Sequence, residues 1–146
     1  MKVEGSYSFE APRQEVWDAL MSPDVLAGCI PGCQRLDAAG EDSYEMVLKV
    51  GVAAITGTYK GTISIVDKVG QESYRMIVEG KGVAGGVRGE GMVRLTEDGA
   101  GTAVTFEGEA RVTGIIARVG QRLMGNTSKL LINQFFNCLK SRTESP

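Results

Sequence analysis

The stretch that decides the fold runs from Thr113 to Lys140 and reads TGIIARVGQRLMGNTSKLLINQFFNCLK. It lacks proline, and apolar side chains return at helical spacing, so it predicts one long amphipathic helix. The predicted apolar stripe comprises Ile116, Val119, Leu123, Leu130, Leu131 and Phe135, with Gly120 and Thr127 between them. The opposite side carries a basic ridge of Arg118, Arg122, Lys129 and Lys140. Such a helix needs a large apolar surface to lie on, and we expect the upstream sequence to supply it.

The sequence upstream alternates between apolar and polar residues over most of its length. Residues 2–10 predict a half-buried strand, and two short helices follow, one beginning at Pro12 and one capped by Ser22. From Gln34 to Val112 the alternation predicts a meander of about six strands joined by short turns. One apolar and one polar face is typical of an antiparallel sheet covered on one side. Glycines at positions 57, 61, 89, 91 and 108 would permit that sheet to coil strongly around the final helix.

These elements predict an α+β fold in which a curved antiparallel sheet of about seven strands wraps around a long C-terminal helix. The length of 146 residues suits a single domain, which we place at 1–140, followed by a short tail at 141–146. An apolar fraction of 42%, a charged fraction of 23% and a net charge of −2 indicate a globular protein that is not a general nucleic-acid binder. We see no signal peptide and no run long enough to span a bilayer, and we expect a cytoplasmic protein.

The cysteine and histidine content limits the chemistry. The sequence has three cysteines and no histidine, which excludes nucleophilic triads built on histidine and removes the commonest metal ligand. We therefore expect no catalytic residue, no metal site and no cofactor. An odd number of cysteines without a secretion signal favours free, mostly buried thiols.

Several strings resemble one known family across essentially the whole chain. The most specific is LAGCIPGC at positions 26–33, and the others are GSY at 5–7, KVG at 49–51, GTYKG at 57–61, GKG at 80–82 and QFF at 134–136, with Ala11-Pro12 and Val16-Trp17 in addition. They resemble the carbon monoxide dehydrogenase CoxG family, which is part of the START and Bet v 1-like (SRPBCC) superfamily. The resemblance implies the helix-grip fold and a small cytoplasmic accessory protein with a hydrophobic cavity. It further implies a lipid- or quinone-like ligand and a role in placing a molybdenum carbon monoxide dehydrogenase or related hydroxylase at the inner face of the membrane.

We expect a ligand cavity between the sheet and the helix. Gly120, Gly125 and Thr127 suggest either close packing against a strand or a space left free at the middle of the helix, and both interpretations stay open. The candidate lining residues face inward or border the entrance: Leu26, Ile30, Met46, Leu48, Tyr59, Ile63, Met76, Val78, Phe106, Gly120, Leu123 and Met124.

Five further features have a plain structural interpretation, and all but Arg111 have a functional one beside it. The turn at 26–33 is either a packed gate or a border of the cavity entrance, and Tyr44, Tyr59 and Tyr74 either fill the core or offer hydroxyls to a ligand. The basic ridge is either a solvated face or a contact for anionic lipid, and Arg111 is expected to pair with Glu109. Residues 80–85 match G-x-G-x-x-G, but the next residues predict a strand rather than a helix, so we expect a hairpin at the cavity mouth and no dinucleotide site.

Two other functions remain as alternatives to a ligand-holding accessory protein. One is a protein-interaction or assembly module without a ligand. The other is an enzyme resembling the polyketide cyclases of the same superfamily, although we find no inward-facing acid or base on the predicted strands, as such chemistry requires.

Overall fold

The computed structural model describes residues 1–51 and 55–144. Within them, seven strands form one antiparallel sheet in the order β1-β7-β6-β5-β4-β3-β2. The elements in chain order are β1 (Lys2–Phe9), α1 (Arg13–Leu20), α2 (Pro23–Cys29), β2 (Cys33–Gly40), β3 (Ser43–Val50), β4 (Gly57–Val69), β5 (Ser73–Gly82), β6 (Gly85–Asp98), β7 (Gly101–Thr113), a 3₁₀ helix (Gly114–Val119) and α3 (Gln121–Glu144). The curved sheet with its C-terminal helix confirms the predicted α+β helix-grip fold.

The C-terminal helix is shorter at its start than the sequence pattern predicts. Residues 114–119 form a 3₁₀ helix, and Gly120 follows with a φ of 95°, which ends that element before α3 begins at Gln121. The predicted single helix from Thr113 is therefore wrong, because a left-handed residue interrupts the helical hydrogen bonds. At the other end α3 continues to Glu144, so residues 141–144 of the predicted tail are helical, and 145–146 lie outside the described residues.

The break at Gly120 also changes which side of α3 faces the sheet. Leu123 and Leu130, which the predicted stripe places inside, are each 45% exposed. The buried side chains of α3 are those of Met124, Thr127, Phe136 and Leu139. The predicted stripe assumed one continuous helical phase from Ile116, and the break resets that phase.

The packed core lies at one end of the sheet, under α1 and the C-terminal half of α3. Its buried members are Phe9, Ala11, Val16, Leu20, Ile65, Tyr74, Val93, Leu95, Val104, Phe136 and Leu139. Tyr7 stacks on Phe136 with ring centroids 4.1 Å apart, and its hydroxyl donates a hydrogen bond to Asn133 Oδ1 at 2.7 Å. These contacts join the first strand to the last helix.

A disulfide bond joins α2 to α3. Cys29, the last residue of α2, is bonded to Cys138, and their Cα atoms are 5.4 Å apart. The expectation of free thiols is wrong for this pair, because residues 109 positions apart in sequence become neighbours only when α2 packs on α3. Cys33 is free and half-buried.

Close approach of strands accounts for part of the glycine content of the sheet. A Cβ on Gly108 of β7 would lie 2.6 Å from the carbonyl oxygen of Glu90 and 2.9 Å from the Cα of Gly91. A Cβ on Gly89 would meet its nearest atom at 3.5 Å, an ordinary contact. Close backbone approach therefore requires glycine at position 108 but not at position 89.

Among the described helices, none is long and apolar enough to cross a membrane.

Replacing Cys138 by serine should lower the free energy of unfolding by about 2–4 kcal/mol, because the lost cross-link closes a long loop of the unfolded chain. Urea unfolding with and without a reducing agent measures this. The matched Cys33→Ser variant should unfold like the parent protein under both conditions. If Cys138→Ser and the non-reduced parent had the same free energy of unfolding, the disulfide bond would contribute nothing to stability.

Gly108→Ala should destabilise the fold by about 1–3 kcal/mol, because the new methyl group meets the backbone of β6 and the strands must separate. Gly89→Ala, on the adjacent strand, should change stability by less than about 1 kcal/mol. Thermal unfolding compares the two variants. Equal losses would contradict close approach as the reason for Gly108.

Candidate ligand-binding site

The inner face of the sheet has a second half, outside the packed core. Met46, Tyr59 and Ile63 of β3 and β4 lie there, and two further predicted lining residues lie on helices, Leu26 on α2 and Met124 on α3. Each of the five is between 6% and 8% exposed. None of them belongs to the cluster of mutually packed buried residues. These side chains are therefore removed from water without being part of the main core.

Strand pairing brings several of these residues together. Leu48 lies opposite Tyr59 across β3 and β4, and Ile63 lies opposite Val78 across β4 and β5. Leu48 and Val78 are half-buried and also lie outside the packed cluster. Together with Met46 they form one continuous apolar surface over three strands, which we call the inner patch: Met46, Leu48, Tyr59, Ile63 and Val78.

The remaining predicted residues have different positions. Met76 and Phe106 pack against the core cluster and so border the inner patch from that side. Ile30 is half-buried in the turn after α2, while Leu123 is exposed on the first turn of α3.

Gly120 is not part of an inward-facing helical stripe. It is exposed and lies at the junction before α3, with a φ of 95°. No described atom lies within 4 Å of a Cβ built at Gly120 or Gly125, which goes against close packing as the reason for either glycine. A leucine at 120 would strain the backbone whatever the space around it, so this substitution is no test of a cavity.

The polar groups of the inner face mostly serve the fold. Tyr59 Oη donates a hydrogen bond to the carbonyl oxygen of Ile55 at 2.8 Å and so ties down the connection before β4. Tyr74 is 3% exposed, and its ring meets Trp17 edge to face. Burial raises the pKa of both phenols, so they stay neutral at physiological pH. The hydrogen bond of Tyr59 to Ile55 and the ring contact of Tyr74 with Trp17 support the packing interpretation of these two tyrosines.

The turn at 26–33 is firmly attached to the sheet. Gly32 accepts a hydrogen bond from the amide of Lys49 at 2.8 Å, and the amide of Cys33 donates to the carbonyl of Ile30 at 3.1 Å. Ser22 Oγ caps α2 by accepting from the amide of Val25 at 3.4 Å, as predicted. The contacts agree with the interpretation of this turn as a packed gate.

The residues of the basic ridge differ in their exposure and contacts. Arg118, Arg122 and Lys129 of the basic ridge are exposed, whereas Lys140 lies over the ring of Phe9 with its Nζ 5.9 Å from the centroid.

The predicted ion pair between Arg111 and Glu109 is wrong. Glu109 pairs with the N-terminal amine of Met1 at 3.6 Å. The reason is that β1 pairs with β7 and brings the chain terminus beside Glu109, where the amine also reaches the carbonyl of Ala110.

The rim beside the inner patch, formed by the hairpin at 80–85 and the 3₁₀ helix, exposes apolar side chains that the sequence analysis missed. The hairpin joins β5 to β6, as expected, and its tip holds Val83, which is fully exposed. Ile115 in the 3₁₀ helix is 62% exposed, and the amide of Ile116 donates to the carbonyl of Ala84 at 3.0 Å, which joins the two segments. The available signal was an apolar residue at a tight turn, where polar residues are usual.

The described part of the chain offers little for acid–base or metal chemistry. Its buried polar or charged residues are Thr102, whose hydroxyl donates to the carbonyl of Ala11 at 2.9 Å, and Thr127. No group of three or more metal-ligating side chains occurs among the described residues. The arrangement can therefore exclude water and hold apolar matter, but these residues supply no buried acid or base.

Comparison with known proteins identifies a family and several structures with the same fold. The family model for CoxG, a subunit of carbon monoxide dehydrogenase, matches residues 5–144. A crystal structure of a conserved protein from Geobacillus kaustophilus is 36% identical, with a TM-score of 0.96 over 99% of this chain and 95% of that one. A START superfamily protein from Mycobacterium smegmatis is 7% identical, with a TM-score of 0.76 over 98% of this chain and 97% of that one, and shows the fold alone. No curated protein matches the sequence.

Tyr74→Phe should make stability less sensitive to alkaline pH. The raised pKa means that the folded state disfavours the phenolate, so folding stability is full below the unfolded pKa of about 10 and falls as pH rises above it. Urea midpoints on both sides of that pH measure the effect. If the variant lost stability with rising pH as steeply as the parent, Tyr74 would not cause the dependence.

Proposed function

The chain belongs to the carbon monoxide dehydrogenase CoxG family, and we propose that it is a non-catalytic accessory protein that holds a hydrophobic ligand between the inner patch and α3. The ligand class is a lipid- or quinone-like molecule. The protein would help to recruit a molybdenum carbon monoxide dehydrogenase or a related hydroxylase to the membrane.

One observation carries the proposal: Met46, Tyr59 and Ile63 of β3 and β4 are buried, the half-buried Leu48 and Val78 lie beside them, and all five lie outside the packed core. In a well-packed protein, apolar side chains usually pack against one another in the core. Apolar side chains that lie outside the core cluster therefore suit contact with a bound ligand. Ligand pockets are largely apolar and preformed, and burial contributes roughly 25 cal/mol per Å² of ligand surface.

The chemistry of the lining selects the ligand class. Buried polar groups need hydrogen-bond partners. In the inner patch the one hydroxyl, that of Tyr59, already donates to the carbonyl of Ile55, and the buried threonines of the described residues are Thr102, which is bonded to Ala11, and Thr127. A ligand with many polar groups would therefore lose hydrogen bonds to water without replacement. A long hydrocarbon or isoprenoid chain would lose none.

The accessory role is supported by the family and by the lack of buried acids or bases in the described structure. General acid–base catalysis needs a side chain positioned to carry a proton, and His is absent from the sequence. The family name connects its members with carbon monoxide dehydrogenase, from which we infer the class of partner enzyme.

Val78→Trp should abolish binding of a hydrophobic ligand, because the indole would occupy space above the inner patch. Its stability should change by less than about 1.5 kcal/mol, since Val78 is half-buried and outside the packed core. The measurement is extraction of the purified protein with organic solvent and mass spectrometry, followed by titration with a quinone and a fatty acid.

The matched control is Val93→Trp, a buried member of the core cluster on β6, which should destabilise the fold by about 3 kcal/mol or more. A parent protein that carries no ligand and binds neither probe would overturn the proposal and favour an interaction module without a ligand. So would a Val78→Trp variant that binds both probes like the parent.

A further inference from the structure

A groove of about 600 Å³ lies on the outer face of the sheet, next to the rim. Three glycines contribute to its floor, so the long side chains of neighbouring strands stand around an open channel. We call it the basic groove, and the side chains that define it are Lys60, Glu79, Lys81, Arg88, Arg111 and Thr113.

Like charges face each other across the strands of the basic groove. Lys60 lies opposite Lys81 on β4 and β5, and Arg88 lies opposite Arg111 on β6 and β7. Directly opposed like charges destabilise a sheet, so a bound anion would relieve the repulsion in this register. Among the described residues that line the groove, the one acid is Glu79, which already pairs with Arg88 at 3.2 Å.

Three of these cations have no ion-pair partner in the described part of the chain. Among the residues that the structure describes, no carboxylate lies within ion-pair distance of Lys60, Lys81 or Arg111. The groove therefore carries an excess of positive charge in a chain whose net charge is −2.

The other half of the same outer face is different. There Lys2 lies 3.7 Å from both Glu4 and Glu107, and Arg75 lies 2.9 Å from Glu90. Arg94 has no carboxylate at ion-pair distance within the described ranges, but Lys2 and Arg75, which line the same part of the outer face, are paired. Unpaired positive charge is thus clustered at the rim end of the sheet and isolated at the other.

Exposed apolar side chains adjoin the groove. Lys81 is two residues before the fully exposed Val83, and Thr113 is two residues before Ile115. The amide of Gly86 donates to Thr113 Oγ1 at 3.2 Å, which connects the two segments at the edge of the groove. Cations and protruding apolar tips therefore share one continuous surface.

We propose that this surface, the basic groove with Val83 and Ile115, docks the protein onto an anionic lipid bilayer. The two apolar tips enter the boundary between headgroups and acyl chains, while Lys60, Lys81 and Arg111 contact the headgroup phosphates. This pairing of apolar insertion with basic contacts is how peripheral proteins bind anionic membranes. The inference rests on the proposed function. Docking in this orientation places the rim beside the proposed ligand site on the bilayer, where a hydrophobic ligand would be dissolved.

A bilayer fits these features better than an acidic protein segment or a nucleic acid. An anionic polymer in the groove would neutralise the cations but leave both tips in water. A surface that is anionic outside and apolar just beneath accounts for both.

The test is flotation of the full chain with vesicles of phosphatidylcholine mixed with phosphatidylglycerol, and with vesicles of phosphatidylcholine alone. We expect binding to the mixed vesicles that weakens as salt is raised, because exposed charges are screened. Arg111→Glu should lower the apparent partition coefficient at least about fivefold. Val83→Asp should lower it about tenfold or more, because the inserted tip is lost.

Matched control variants test whether the same substitutions elsewhere on the protein also weaken vesicle binding. Arg94→Glu makes the same charge change on the same outer face, and Val69→Asp replaces another exposed valine, at the end of β4. Both should bind like the parent. The proposal would be overturned if the control variants lost as much vesicle binding as Arg111→Glu and Val83→Asp, or if the parent showed no preference for the mixed vesicles.

Two further measurements separate the alternatives. If a short acidic peptide displaced the protein from vesicles while Val83→Asp bound them like the parent, the groove would belong to a protein segment and the proposal would be overturned. Titration with a soluble quinone in the absence of vesicles tests the ligand site alone, so the two proposals can fail independently.

Discussion

The attachment of α3 at its C-terminal half is the constraint on which the rest of the structure depends. Phe136 stacks on Tyr7 and meets the edge of Phe9 at a centroid distance of 6.5 Å, while Cys138 bonds to Cys29. Aromatic packing and a covalent bond therefore hold one end of the helix over β1 and α2. The N-terminal half begins after a left-handed glycine and buries Met124 and Thr127 outside the core cluster.

This unequal attachment divides the molecule into two ends with different properties. At one end α1, β6, β7 and the C-terminal half of α3 enclose a dense core that supplies stability. At the other end the inner patch is buried outside that core, and the rim exposes Val83 and Ile115. The basic groove of the outer face lies at this second end as well. The features that suit a ligand and a membrane are thus placed away from the features that keep the chain folded.

Much of the fold could be predicted, because the strands show a period of two and the strand order follows the chain from β2 to β7. The cavity candidates on β3, β4 and β5 also followed from alternation, since a side chain that alternates inward on a one-sided sheet must face the helix. The prediction failed where Gly120 ends the 3₁₀ helix. Because α3 starts anew after Gly120, its helical phase differs from that of the predicted stripe, and Leu123 and Leu130 are exposed. The expected ion pair of Arg111 failed because the chain terminus, remote in sequence, reaches Glu109.

The sequence by itself predicted a curved antiparallel sheet around a C-terminal helix, the apolar character of the inner face and the exclusion of histidine chemistry, because periodicity and composition are local properties that can be read without coordinates. Only the tertiary structure decided that Cys29 meets Cys138, that Lys60 faces Lys81, and that Arg88 faces Arg111. These relations depend on how α2 packs against α3 and on the register between strands. Packing and register are set by all the contacts of the folded chain at once, which is why no single segment predicts them.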